Sequence, residues 1–382
     1  MKEWKTYKLS EIGQVIGGAT PSTKVASNYD GDIAWITPKD LSLLSGRYVY
    51  KGERCITEAG YKSCSCQMLP AGSILFSSRA PIGYIAIAGN ELCTNQGFKS
   101  VVPNPEIVNS HFLYYLLSYE KNRIAEMGSG TTFMEISGNV MKNIEVKLPD
   151  LSIQNKIAEI LTSLDEKIEN NKRINDNLEQ QASSLLSDWI STYPCRTYKL
   201  SDICKYVSAK FDTGNLTSQN YISTENMLPN KKGIVDASNI PTGKVTHFKV
   251  DDILIANIRP YFQKIWKADI SGGCSTDVLC IRSCVESHSP IIYWILHQDA
   301  FFEYVMTGAK GCKMPRGDKQ HIMNWSIDLP DTQYWPDLAT QLGSIDQQIA
   351  YNRIESINLS NLRDTLLPKL MSGELKINNL DC

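Results

Sequence analysis

Two stretches of this chain carry the same long apolar repeat, and each follows the same tripeptide. Leu148-Pro149-Asp150 precedes the first and Leu329-Pro330-Asp331 the second, 181 residues later. In the first stretch Ile157, Leu161, Leu164, Ile168, Asn171, Asn175, Leu178, Ala182 and Leu185 alternate steps of four and three, the a/d seam of a coiled coil. In the second, Leu338, Leu342, Ile345, Ile349, Asn352, Ser356, Leu359 and Leu366 fall on the equivalent positions, and Arg363 breaks the series. A 3.5-residue period sustained twice favours mutual packing over two independent amphipathic helices.

Connectivity then gives the direction. The first helix leaves one globular segment for the next, and the second must start at the later segment and return, so the pair is antiparallel. A helix of about 40 residues at roughly 1.5 Å per residue is about 60 Å long. That exceeds one turn of duplex DNA, about 34 Å, so such a rod has the dimensions of a ruler.

The repeat extends into the globular segments. Thr6-Tyr7-Lys8-Leu9-Ser10-Glu11-Ile12 recurs as Thr197-Tyr198-Lys199-Leu200-Ser201-Asp202-Ile203, Pro81 matches Pro260, and Cys93-Thr94 matches Cys274-Ser275. Short β-branched or aromatic runs bounded by Gly, Pro, Asn or Ser predict strands near 32–36, 48–50, 73–76 and 84–88, then near 253–255, 264–266 and 278–281. One amphipathic helix is expected to close each copy, over 111–125 and 291–306. Tyr114-Tyr115-Leu116-Leu117 there matches Tyr293-Trp294-Ile295-Leu296, and at helical spacing inside an apolar run these aromatics read as core.

A chain of 382 residues with 42% hydrophobic and 21% charged residues suits two cores better than one. Met1-Lys2-Glu3-Trp4-Lys5 lacks the apolar segment of a signal peptide and no apolar run approaches a membrane span, so a cytoplasmic location is expected. Eleven cysteines without regular spacing read as reduced thiols. The net charge of -2 argues against binding nucleic acid through bulk positive charge and requires local patches instead.

These residues together resemble the specificity subunit of type I restriction-modification systems. The resemblance is carried by Gly31-Asp32-Ile33-Ala34-Trp35-Ile36-Thr37-Pro38, Pro70-Ala71-Gly72-Ser73-Ile74-Leu75 with Ser78-Arg79-Ala80-Pro81-Ile82-Gly83, and Asn95-Gln96-Gly97-Phe98. Gly128-Ser129-Gly130-Thr131-Thr132 leads on to Asn143-Ile144-Glu145-Val146-Lys147-Leu148-Pro149, and 362–375 looks like the family's distal helix end. It implies an α+β fold of two tandem, β-rich target-recognition domains separated by two long conserved helices in an antiparallel, pseudo-two-fold coiled coil. The expected division is 1–150 and 193–331 for the two domains, 151–192 and 332–375 for the helices, and 376–382 for a tail. It further implies that the subunit binds a bipartite, asymmetric double-stranded DNA target without catalysing anything itself. Its partners would be two methyltransferase subunits and restriction subunits, with S-adenosylmethionine, ATP and Mg2+ held in those partners. One departure is local: where the first helix opens with Ser152-Ile153-Gln154, the second has Tyr334-Trp335-Pro336, which puts the geometry of that helix start in question.

Catalytic patterns are sparse. There is no Asn/Asp-Pro-Pro-aromatic tetrapeptide for methyl transfer and no Gly-rich loop ending in Gly-Lys-Ser/Thr for nucleotide phosphates. Pro149-Asp150 with Asp165-Glu166-Lys167 fits a loose metal-nuclease pattern, but on a heptad helix rather than on strands, and the second copy reads Asp346-Gln347-Gln348. Cys274, Cys280, Cys284 and His288 match no common zinc spacing. His111, His247, His297 and His321 have no nucleophile and acid beside them in sequence to support covalent chemistry.

Candidate DNA contacts therefore sit in loops rich in basic, amide and hydroxyl groups. In the first domain these are Lys24, Thr37, Lys39, Ser78, Arg79, Asn95, Gln96, Thr131 and Thr132. In the second they are Lys210, Asn257, Arg259, Tyr261, Thr276, Lys310, Lys313, Arg316 and Lys319, the last four in the densest basic loop of the chain. Arg and Lys read guanine edges or hold phosphate, and Asn and Gln suit adenine. The alternative is a non-DNA adapter, two similar domains on a coiled-coil rod that bind protein partners, which the near-neutral charge suits.

In an antiparallel pair Asn171 and Asn352 lie near mid-helix and face one another, a buried amide pair that fixes register at a cost in stability. Replacing both by Leu is expected to raise the midpoint of thermal unfolding; a lower midpoint would refute the facing pair.

Overall fold

The computed structural model describes residues 4–130, 134–311 and 313–375. It divides into two compact units, 1–170 with 355–382 and 171–354. Each takes half of both long helices, which run Leu151–Thr192 and Trp335–Met371 and are called central and distal below.

The first unit is built on a five-stranded sheet in the order Gly13–Gly17, Lys99–Pro103, Ile74–Phe76, Ile85–Ala88, Tyr48–Val49. Its neighbours are antiparallel except the last pair, where Tyr48 lies beside Ile87 in parallel. Side chains of a strand point alternately to opposite faces, and the central strand uses both. Ile74 and Phe76 pack with Phe112, Leu116 and Leu117 of the helix Ser110–Glu126, while Leu75 packs with Leu69, Ala86 and Phe98 on the other face. A three-stranded sheet, Cys55–Ile56, Tyr29–Ile36, Cys93–Thr94, sits alongside, and Lys5–Lys8 pairs with Glu145–Leu148.

The second unit repeats this plan. Its sheet runs Cys204–Tyr206, Val278–Ser283, Ile253–Ala256, Ile265–Lys267, the first unit's order without the parallel edge strand. Ile253 and Ile255 face Ile291, Trp294 and Ile295, and Leu254 and Ala256 face Phe248, Trp266 and Cys280. Lys210–Asp212, Lys244–Phe248, Gly272–Cys274 and Tyr221–Ile222 form the second sheet, and Cys195–Lys199 pairs with Ser326–Pro330. The helix expected over 291–306 is instead two, Ser289–Leu296 and Asp299–Thr307. Gln298 breaks it by adopting extended backbone (φ -69°, ψ 148°), and its amide nitrogen donates to the Trp294 carbonyl at 3.1 Å.

The two long helices pack antiparallel within each unit. In the first, Lys167 pairs with Glu355 at 3.3 Å; in the second, the Trp189 indole N–H donates to the Tyr334 carbonyl at 3.2 Å. Ile157, Leu161, Ala182, Leu338 and Leu342 are buried on the seam. Leu164, Ile168, Leu178, Leu185, Ile345, Ile349, Leu359 and Leu366 are half-buried, because a lone helix pair covers only one side of each helix. Asn171 and Asn352 are both buried. The Asn171 amide N–H points at the Asn352 backbone carbonyl (3.4 Å), and the Asn352 amide donates to Asn175 Oδ1 (2.7 Å). Asn175 is thus a third member, and a gain in stability on Leu substitution requires replacing it as well.

The start of the distal helix settles the departure in its sequence. Gln154 and Trp335 are 181 positions apart, and each is 1% exposed. The Gln154 amide donates to the Pro149 carbonyl at 2.9 Å and the Trp335 indole N–H to the Pro330 carbonyl at 2.8 Å. One donor replaces another at the same proline carbonyl, although the distal helix enters through a 3-10 turn, Thr332–Tyr334, and Pro336 falls in its first α-helical turn, where no amide hydrogen is needed.

Arg363, the residue that interrupts the heptad, answers a buried charge. Its guanidinium bonds Asp165 Oδ1 at 2.7 Å, while the Tyr115 hydroxyl donates to Asp165 Oδ2 at 2.6 Å and Arg47 stands 3.9 Å away. The equivalent Asp346 accepts from the Trp294 indole N–H at 2.8 Å and pairs with Lys267 at 3.0 Å. Burial pushes the Asp346 carboxyl up to about 6 even though Lys267 pulls it down. With Asp165 and Lys167 both engaged in these pairs, the nuclease pattern has no free acid-lysine set. Cys274 and Cys280 are buried, Cys284 is exposed and His288 packs its ring on Trp335, so the four imagined zinc ligands do not converge. Among the described residues no group of three or more His, Cys, Asp or Glu is placed to hold a metal, and no helix is long and apolar enough to cross a membrane.

Arg363→Leu would complete the heptad on paper, yet it removes the partner of a carboxylate 6% exposed. Asp165 would keep only Arg47 at 3.9 Å and the Tyr115 hydroxyl, and removing the close partner of a buried charge is strongly destabilising. A loss of about 3 kcal/mol is expected in urea unfolding, and a more stable variant would show that the apolar seam outweighs the ion pair.

Candidate nucleic-acid interface

Several of the candidate residues meet where each central strand ends. In the first unit the chain leaves Ile74–Phe76 and meets a bridged pair: Ser129 and Glu135 exchange amide and carbonyl bonds (3.1 and 3.0 Å), and Glu135 bridges to Arg79. In the second unit Lys310 and Arg316 make the same exchange at 2.9 Å each, and Arg316 bridges to Ile258. Ser129 matches Lys310 and Glu135 matches Arg316, each 181 residues apart, so one hairpin occurs in both units with opposite chemistry.

In the first unit one carboxylate on this surface answers two cations. Arg79 pairs with Glu135 at 3.2 Å and Lys99 with the same carboxylate at 3.4 Å. Gly97 ties the neighbouring segments together. A Cβ there would lie 2.9 Å from Asn95 Oδ1 and 3.0 Å from Pro38, so the close approach that places Thr37 and Pro38 beside Asn95 and Gln96 favours glycine. Asn95 Oδ1 accepts from the Gly97 amide (2.8 Å), Gln96 bonds Thr20, and Thr37 caps the helix Pro38–Ser42 through Asp40. Lys39 pairs with Glu53 at 2.5 Å.

Ser78 is a correction: it is fully buried, bonded through its amide and hydroxyl to the Gly97 carbonyl, and so it supports the loop rather than facing a ligand. Lys24 is exposed in the turn before Ala26–Asn28, outside this network of bonds. Thr131 and Thr132 lie outside the described residues.

In the second unit the same surface carries an excess of cations. Lys310, Lys313, Arg316 and Lys319 are all exposed. Lys310 pairs with Asp318 at 2.6 Å, and with two backbone amides it holds the Asp318 carboxyl down to about 2, so that carboxylate is ionised across the working pH range. Arg316 pairs with Asp277 at 3.2 Å, and Lys319 lies 5.8 Å from the Tyr206 ring centroid. The Arg259 amide donates to the Pro315 carbonyl (2.8 Å) and the Gly317 amide to the Asn257 carbonyl (3.1 Å), which holds hairpin and strand exit together. A Cβ on Gly317 would come within 2.8 Å of Asn257 Oδ1. Thr276 is exposed beside Asp277, and Tyr261 is exposed at the tip beyond Arg259. Lys210 bonds Thr246 on the neighbouring strand rather than any hairpin residue.

Reading the sequence for cations missed the acids that partner them: Glu135, Asp277 and Asp318. The 181-residue offset that aligns Glu135 with Arg316 was the available signal. It also passed over Phe262, which is exposed beside Tyr261.

Two copies of one β-rich unit, each presenting the same hairpin with different side chains, define a tandem-module recognition protein. The comparison with known proteins agrees. The model of the type I restriction modification DNA specificity domain matches residues 1–180. The chain is 30% identical to the type I restriction enzyme MjaIX specificity subunit of Methanocaldococcus jannaschii over 99% of this chain and 95% of that one. It is 24% identical to the EcoDI specificity subunit of Escherichia coli over 98% and 89%. The crystal structure of the type I restriction-modification S subunit from M. genitalium shares the fold, with a TM-score of 0.62 at 17% identity over 96% of each chain. This chain belongs to the family of type I restriction enzyme specificity subunits.

Proposed function

We propose that the chain binds a bipartite, asymmetric double-stranded DNA sequence, each unit reading one half, and positions two methyltransferase subunits and the restriction subunits on it. The observation that carries this reading is the repeated hairpin. The same pair of backbone bonds closes it in both units, but Ser129 and Glu135 in one stand where Lys310 and Arg316 stand in the other. Equivalent frames with unlike edges recognise unlike half-sites. On this reading the chain itself is non-catalytic, and S-adenosylmethionine, ATP and Mg2+ are bound by the partner subunits.

Local charge reconciles this role with the net charge of -2. Ion pairs such as Arg316 with Asp277 offset part of the local positive charge in the free protein, and phosphate oxygens compete for the same guanidinium when DNA arrives. Lys313 is exposed, makes no ion pair among the described residues and is available to phosphate directly.

Mapping methylated adenines in the host genome with and without this chain tests the reading: a two-part motif that disappears with the chain supports it, and an unchanged methylome refutes it. On a duplex bearing that motif, Lys313→Ala in the assembled methyltransferase complex should lower the slope of log K against log salt by about 1. It should leave the preference between cognate and unrelated DNA within about two-fold, because a phosphate contact carries no sequence information.

A further inference from the structure

We propose that Tyr261 and Phe262 form a rigid apolar wedge that packs against the bases of the second half-site and unstacks one base step there. The inference rests on the DNA-recognition reading above. Both rings face solvent, 49% and 37% exposed, with centroids 4.7 Å apart at an interplanar angle of 54°. Two adjacent exposed aromatics are apolar surface that a lone protein has reason to bury, and here they stand at the end of a turn rather than over a core.

The turn holds them still. Pro260–Phe262 is a single turn of tight helix flanked on both sides by left-handed residues, Arg259 at φ 51° and Gln263 at φ 50°. Neither is glycine, so the conformation is one the local sequence would not choose, and the surroundings maintain it. The Phe262 amide donates to the Arg259 carbonyl (3.0 Å) and the Gln263 amide to the Pro260 carbonyl (2.8 Å). From outside the turn, the Asn230 amide donates to the Phe262 carbonyl (2.8 Å) and the Lys231 amide to the Gln263 carbonyl (2.9 Å). Lys264, 5.9 Å from the Phe262 ring centroid, is fastened to the Thr224 carbonyl. A tip braced in this way loses little freedom when it binds.

Charge identifies the occupant. The backbone bond from Arg259 to Pro315 joins the tip to the hairpin that carries Lys310, Lys313 and Arg316. Aromatic rings beside a cluster of cations suit a ligand that offers flat apolar faces between anionic groups, which is the surface of a nucleic acid whose bases are partly unstacked. The first unit lacks the device: counted from the matching Pro81 and Pro260, Ile82 and Gly83 occupy the positions of Tyr261 and Phe262. The wedge is therefore a feature of one half-site only.

The test uses the full chain assembled with its methyltransferase subunits and a duplex bearing the target defined by the methylome. 2-Aminopurine replaces each purine of the second half-site in turn. The expected result is a rise in fluorescence on binding at one position that is lost in Tyr261→Ala/Phe262→Ala. That double variant should bind the target at least ten-fold more weakly and unrelated duplex within two-fold of the parent, with salt slope and melting temperature unchanged. The wedge is overturned if every fluorescence rise survives in the variant, if the cognate preference is unaltered, or if the salt slope falls instead. Should the parent complex show no preference for any sequence, the recognition reading itself fails, a result distinct from a parent that discriminates equally well with or without the rings.

Discussion

The bond on which each unit depends joins an aspartate of a long helix to an aromatic donor of the sheet-packed helix. Tyr115 donates to Asp165 at 2.6 Å, and Trp294 donates to Asp346 at 2.8 Å. Both carboxylates are largely buried and both hold a cation as well, Arg363 in one case and Lys267 in the other. A polar group taken from water must find all its partners or its burial is costly, so each aspartate specifies one rotation of its helix against the globular layer. Apolar contacts alone would tolerate a slip; these do not. The orientation of the strand exits follows, because the same aromatic helix packs on Ile74 and Phe76 in one unit and on Ile253 and Ile255 in the other.

Rigid support and variable edge are thus separated along the chain. The central strands, an aromatic helix packed on them and the aspartate anchor recur in both units, whereas the side chains on the bridged pair and the strand exit differ in charge. Glu135 draws Arg79 and Lys99 together in the first unit, and the second spreads four cations over one loop. Recognition of two unlike sequences by like frames requires this division, since phosphate contacts set position and only the edge residues distinguish bases.

The scaffold was largely legible because its signals are periodic. Heptad positions named Ile157, Leu161, Leu338 and Leu342 as buried, and the β-branched runs named the central strands. Where reading failed, a single polar partner decided the matter. The helix over 291–306 breaks at Gln298, whose side chain bonds Trp294. Ser78, chosen as a contact, is buried on the Gly97 carbonyl, and the irregular Arg363 answers an aspartate nearly two hundred positions away. Such pairings are long-range and leave no period.

What the amino-acid order determined by itself is the duplication, the two long helices and their direction, since a repeat and a connectivity are properties of the chain alone. Packing decided which charges remain available to a ligand. Arg79 and Lys313 look alike in a list of residues, but Arg79 is bound to Glu135, while Lys313 projects from a hairpin whose acids are engaged with Lys310 and Arg316. The same holds for Gln154 and Trp335, dissimilar residues that do one job because each points an N–H at the carbonyl of a proline. Side-chain function here depends on where a donor or charge ends up and on what already satisfies it, and three-dimensional proximity alone settles that.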